Sequence, residues 1–142
     1  MNIRIALTVP VMLAVSAIAA AQDDGLKIFI SADMEGVVGA VTGEQLSPGG
    51  FEYERFRAFM TEEVNAAIDA ARAAGATEFV IADAHGNGQN LLIERLPDDV
   101  TVIRSWPRAL SMMAGIDDSF DGVIFLGYHT STANMRGVRA HT

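Results

Sequence analysis

Cysteine is missing from all 142 residues. A chain without thiols has no disulfide framework and no thiolate zinc site. No lipid-attachment cysteine follows its N-terminal apolar segment either. Basic residues are scarce: 10 Lys and Arg against 18 Asp and Glu, a formal charge of −8. That balance leaves no basic patch for a phosphate backbone, so no nucleic-acid partner is expected. It gives no support for docking on anionic lipid. No serine sits in a G-x-S-x-G elbow, which removes the serine-hydrolase reading. "GNG" at 86–88 lacks the P-loop lysine and the full dinucleotide fingerprint. Past residue 21, no stretch is apolar enough to cross a bilayer.

What is present begins with "MNIRIALTVPVMLAVSAIAAAQDD". Arg4, an apolar run from Ile5 to Ile18 and the small residues Ala19–Ala21 follow the order of a secretory signal peptide. Residues 1–21 are expected to be removed, with cleavage after Ala21 and Ala19 as second choice. The protein is then exported, periplasmic or secreted, with no stable membrane insertion after processing. Residues 22–142 suffice for one modest domain with a real core.

Leu26 to Ala32 reads as a strand buried on both faces. The segment from Phe51 to Gly75 reads as a helix. Phe56, Phe59, Met60, Val64, Ala67, Ile68 and Ala71 recur on one face of it, and Gly75 closes it. "EFVIADAH" is a second strand, "NLLIERL" a short helix and "VTVIRS" a third strand. "PRALSMMAG" reads as a helix with Pro107 in its first turn, and "DGVIFLGYH" as a fourth strand. Alternation of strands and helices predicts an α/β fold, a mainly parallel sheet flanked by helices. The carboxyl ends of its strands would share one edge, where ligands bind.

That edge collects unusual chemistry. Asp33 and Glu35 follow the first strand, Asp83 and His85 end the second, and His129 follows the fourth. Only three histidines exist, and His141 comes shortly after the last strand. Each acid or imidazole alone has a bland reading: Asp33 as a turn or cap residue, Glu35 as a solvated acid, His85 and His129 as structural. Asp83 is equally a buried acid bonded to nearby amides or a group that orients a histidine ligand. Together they are the nitrogen and oxygen donors zinc takes when thiolate is absent. Asp33 has two oxygens and could bridge two ions. Gly36, Gly86 and Gly127 would allow close backbone approach or positive φ. Met112 and Met113 read as core filler and Glu62–Glu63 as a solvated helix face, from which one acid could reach the site. Trp106 would line a pocket or cover the core.

At these residues the chain resembles the D-aminopeptidase family of binuclear zinc metallopeptidases. The similar stretches are "SADMEGVVGA", "YERFRAFMTEEVNAAIDAARAAGATEFVIADAHGNGQNLL", "GIDDSFDGVIFLGYHT" and "GVRAHT". The resemblance implies two Zn²⁺ ions, with Asp33 bridging and Glu35, His85 and His129 as ligands. It places His141 as the catalytic histidine, as proton carrier, oxyanion stabiliser or nucleophile. It implies removal of N-terminal residues, with a preference for D-amino acids, from short peptides, and a homo-oligomeric assembly. Peptidoglycan-derived peptides carry D-residues and suit an exported enzyme. Family chains run about twice as far, so this chain is expected to be an N-terminal portion, an incomplete fold lacking a further glutamate ligand. Two other functions stay open: metal-dependent hydrolysis of a phosphoester or non-peptide amide, and a non-catalytic binding module or remnant.

Overall fold

The computed structural model describes residues 25–141. The signal peptide expected over residues 1–21 and the terminal Thr142 lie outside them. Four strands form one sheet in the order β3-β2-β1-β4: β1 Leu26–Ala32, β2 Ala76–Asp83, β3 Thr101–Ile103 and β4 Gly122–Leu126. Every pairing among them is parallel. Among the described residues one α-helix, α1 Tyr53–Ala73, links β1 to β2.

β1 takes the central place because both its faces are apolar. Phe29 through Ala32 are fully buried. Ile28, Ile30 and Ala32 join Phe79 and Ile81 of β2 against Phe56, Met60, Val64 and Ile68 of α1. The predicted helical stripe is therefore the packed face. α1 ends where Gly75 takes φ +100, a left-handed turn that ordinary side chains resist. On the other sheet face Phe29 meets Phe120 edge-to-face at 5.5 Å. β4 is an edge strand whose Val123 and Phe125 stay exposed.

Two expected helices are single 3-10 turns instead. In 90–96 only Ile93–Arg95 turns. The amides of Asn90 and Leu91 are held by Asp83 and that of Leu92 by Thr61, so the approach is extended. Pro97 keeps Leu96 extended at the far end. In 107–115 only Ser111–Met113 is helical, as a 3-10 turn. Leu110 and Ser111 take φ of 61° and 49°, outside the right-handed helix. The Arg108 guanidinium organises this segment, donating to the carbonyls of Asp83, Ile103 and Ser111.

The strand order has a consequence for the site. The chain moves outward from β1 through β2 to β3, then returns to β4 on the opposite side of β1. In open α/β sheets the crevice at such a reversal is where ligands sit. Here it lies above the carboxyl ends of β1 and β4.

Candidate metal centre

The exits of β1 and β4 cross at this reversal. Asp33 N–H donates to the Leu126 carbonyl (2.8 Å) and Gly36 N–H to that of Gly127 (2.6 Å). A Cβ on Gly36 would stand 2.5 Å from the Tyr128 carbonyl oxygen, and one on Gly127 would stand 2.0 Å from that of Asp33. Gly127 also has φ +64. Only glycine at both positions lets the loops pass this closely.

Asp33, Glu35 and His85 are buried together, at 3%, 9% and 6% exposure. One potential ligand atom from each lies within 4.8 Å of the other two. His85 Nδ1 is 3.1 Å from Asp33 Oδ1 and 2.9 Å from Glu35 Oε2. Its Nε2 faces the Leu46 carbonyl at 2.7 Å. A carbonyl only accepts, so the Nε2 proton stays there and Nδ1 is the atom turned on the carboxylates. Leu46 is set by the 3-10 turn Gly43–Gln45, itself capped by Thr42 and by the Gln45 side chain.

His129 and His141 stand on the other side. Their rings stack at 3.6 Å with 16° between planes. His129 Nδ1 donates to the Thr130 carbonyl (2.8 Å), and its Nε2 lies 3.9 Å from Asp33 Oδ2. His141 Nδ1 donates to the Arg139 carbonyl (2.7 Å), and its Nε2 lies 3.6 Å from Glu35 Oε1. Each carboxylate thus turns one oxygen to His85 and the other to the stacked pair. Each imidazole gives one N–H to a backbone carbonyl and keeps its other nitrogen for the centre.

These neighbours shift one another. Burial favours the neutral Asp33 carboxyl, and the adjacent Glu35 adds to the rise. Burial opposes ionisation of Glu35 as well, but hydrogen bonds with His85 and Asp33 outweigh it and bring it to about 2. Burial also works against a charged His85, yet its bonds to Asp33, Glu35 and Leu46 lift it to about 10. An imidazolium held between two carboxylates marks a place that favours a cation. Buried oxygen and nitrogen donors of this kind fit a divalent ion such as zinc.

Asp83 lies behind the centre, fully buried. It accepts from the amides of Asn90 (2.5 Å) and Leu91 (2.8 Å) and from the Asn90 side chain (2.8 Å). Of its two expected roles, the backbone-bonded acid is the one seen; it bonds to no imidazole. It reaches His85 only through Asn90, whose amide also donates to the His85 carbonyl. Asn90 in turn accepts from Tyr53 Oη at 2.7 Å. Sequence reasoning missed this Tyr53–Asn90 bracket; an asparagine seven residues after a strand-end acid was the available clue. Trp106 covers the same loop, donating from Nε1 to the Gly86 carbonyl. Glu63 reaches only the loop beyond Glu35, accepting from Val38 N–H at 3.2 Å.

A parallel α/β sheet with three imidazoles and two buried carboxylates at its carboxyl edge defines a domain built around a candidate divalent-metal centre. A family model described as D-aminopeptidase matches residues 26–142, and the chain belongs to that family. It is 38% identical over 117 residues to a D-aminopeptidase of Bacillus subtilis (strain 168), covering 82% of this chain and 42% of that protein. A solved structure of the Zn-dependent D-aminopeptidase DppA from Bacillus subtilis, a self-compartmentalizing protease, matches with a TM-score of 0.79 at 38% identity. That match covers 82% of this chain and 42% of DppA, so the chain spans about two fifths of the length of these relatives.

Proposed function

We propose that this chain carries the metal-binding part of a zinc-dependent aminopeptidase that releases N-terminal residues, D-residues among them, from short peptides. The observation that carries the reading is the placement of Asp33, with Oδ1 toward His85 and Oδ2 toward His129. A bridging carboxylate between two ions needs that division of its oxygens. Glu35 and His85 complete one position, and His129 stands at the other. Zinc there would supply an activated water and polarise the scissile carbonyl. His141 is half-exposed, at 47%, and its Nε2 is free to carry a proton between Glu35 and a substrate in the crevice. Its Nδ1–H bond to the Arg139 carbonyl turns Nε2 toward Glu35. Asp83 holds the His85 loop in register.

The Zn-dependent relative supports the choice of metal, and its self-compartmentalizing character supports a homo-oligomer. Export rests on the order of residues 1–21. Among the described residues no helix is long and apolar enough to cross a membrane.

The test is zinc content and turnover by the purified 142-residue chain, with D-Ala and L-Ala peptides against phosphoesters. The expected result is bound zinc, with any turnover being chelator-sensitive release of N-terminal D-Ala. Turnover of phosphoesters alone would remove the peptidase assignment. Zinc without any turnover would leave a binding remnant, and no bound zinc would remove the centre.

A further inference from the structure

Tyr128 takes no part in the reaction described above, yet its hydroxyl is engaged inside the fold. Ser31, fully buried in β1, donates its one hydroxyl proton to the Met112 carbonyl at 2.8 Å. The Ser31 and Tyr128 oxygens are 2.6 Å apart. With the serine proton committed to Met112, Tyr128 is the donor of that bond. The relay Tyr128–Ser31–Met112 therefore fastens the loop after β4 to β1, on the sheet face away from α1.

Its position in the chain gives it a particular lever. Ser31 lies two residues before Asp33, and Tyr128 lies one residue before His129. The backbone bonds that join the two strand exits end at the Gly127 carbonyl. Beyond that point the Nδ1–H of His129 is held by Thr130, within its own loop. Among the described residues the Tyr128 hydroxyl is thus the last hydrogen bond tying this loop to β1 ahead of His129. The gap it governs is the 3.9 Å between His129 Nε2 and Asp33 Oδ2. No corresponding link acts on His85, which is set by Leu46 and by the Asn90 bracket.

We propose that Tyr128 is a positioning residue: through Ser31, its hydroxyl fixes the separation of His129 from Asp33 and so the affinity of one of two metal positions, leaving the His85 position alone. This rests on the two-ion reading above.

Tyr128→Phe removes the donor and keeps the ring, which still packs edge-to-face on Phe125. Ser31→Ala removes the acceptor from the other strand. Zinc would be titrated into the ion-free full chain, wild type and both variants, against a competing chelator of known affinity. The expected result is a first ion bound as in wild type and a second weakened about 10–100-fold, the range found when a group that orients a ligand is removed. The double variant should bind the second ion no more weakly than the worse single variant, because both delete one link. In the ion-free protein the His129 ring resonances should broaden or move in both variants while those of His85 stay in place. Two ions bound as in wild type would overturn the proposal, and so would equal weakening of both, which reports general loosening. A wild-type protein that binds only one ion would overturn the two-ion reading, and this inference with it.

Discussion

Replacing Asp83 by alanine should loosen the support of the candidate metal centre without touching a ligand. The carboxylate accepts three N–H bonds of 2.5–2.8 Å in a fully buried setting. In the alanine variant the Asn90 side chain keeps the His85 carbonyl as a partner. The backbone amides of Asn90 and Leu91 keep none. A buried donor left without a partner costs about 1–3 kcal/mol. Two of them, less the relief of removing a buried charge, give a loss of about 3 kcal/mol. A domain of this size has roughly 6–17 kcal/mol in all, so the variant folds but is clearly weakened. Asp83→Asn keeps the shape and one acceptor, and should lose about half as much. The assay is urea unfolding in the presence of chelator, followed by fluorescence. Trp106 is the one tryptophan and bonds to Gly86 in the affected loop, so the signal reports the relevant region. Zinc affinity measured on the same variant should fall about 10–100-fold, because the His85 loop loses its anchor. An alanine variant within about 1 kcal/mol of wild type would refute the idea that this acid holds the loop.

Three further outcomes follow from the geometry. On the proposed two-ion reading, His129→Ala should lose one zinc and keep the other, whereas His85→Ala should lose the position shared by Asp33 and Glu35; metal analysis of the two proteins after dialysis distinguishes them. Zinc must displace the Nδ1 proton of a His85 poised at about 10, so calorimetry in buffers of different ionisation enthalpy at pH 7.5 should show about one proton released, against about 0.1 for an ordinary histidine. Affinity should then rise with pH, about tenfold per unit, until the pH approaches that of the shifted group; a release near 0.1 would mean that His85 is not held protonated by the two carboxylates. Gly127→Ala puts a Cβ against the Asp33 carbonyl at a left-handed backbone position, and thermal unfolding should show a loss of at least about 2 kcal/mol.

Much of the fold was open to reading from local pattern. β1 matched Leu26–Ala32, and the stripe from Phe56 to Ala71 matched the packed face of α1. Both rest on periodic apolar residues, which report burial directly. The segments at 90–96 and 107–115 were misread as helices because their conformation is set by distant partners. Asp83 pulls the first straight, and Arg108 wraps the second around three carbonyls. No window of local sequence contains those partners.

The residue types of the candidate centre are legible in the sequence alone. Acids and imidazoles just after the first, second and fourth strands must meet at one edge if the strands are parallel, and the pairings are all parallel. What the tertiary structure decided is which oxygen faces which ring. Asp33 and His129 are far apart in the chain, and their approach depends on β4 pairing beside β1 and on two glycines that let the strand exits cross. The same is true of Tyr128, an ordinary aromatic until Ser31 is placed opposite it. Residue types follow from the sequence because chemistry is local. Distances of a few ångströms between strands follow from packing, which the whole domain sets at once.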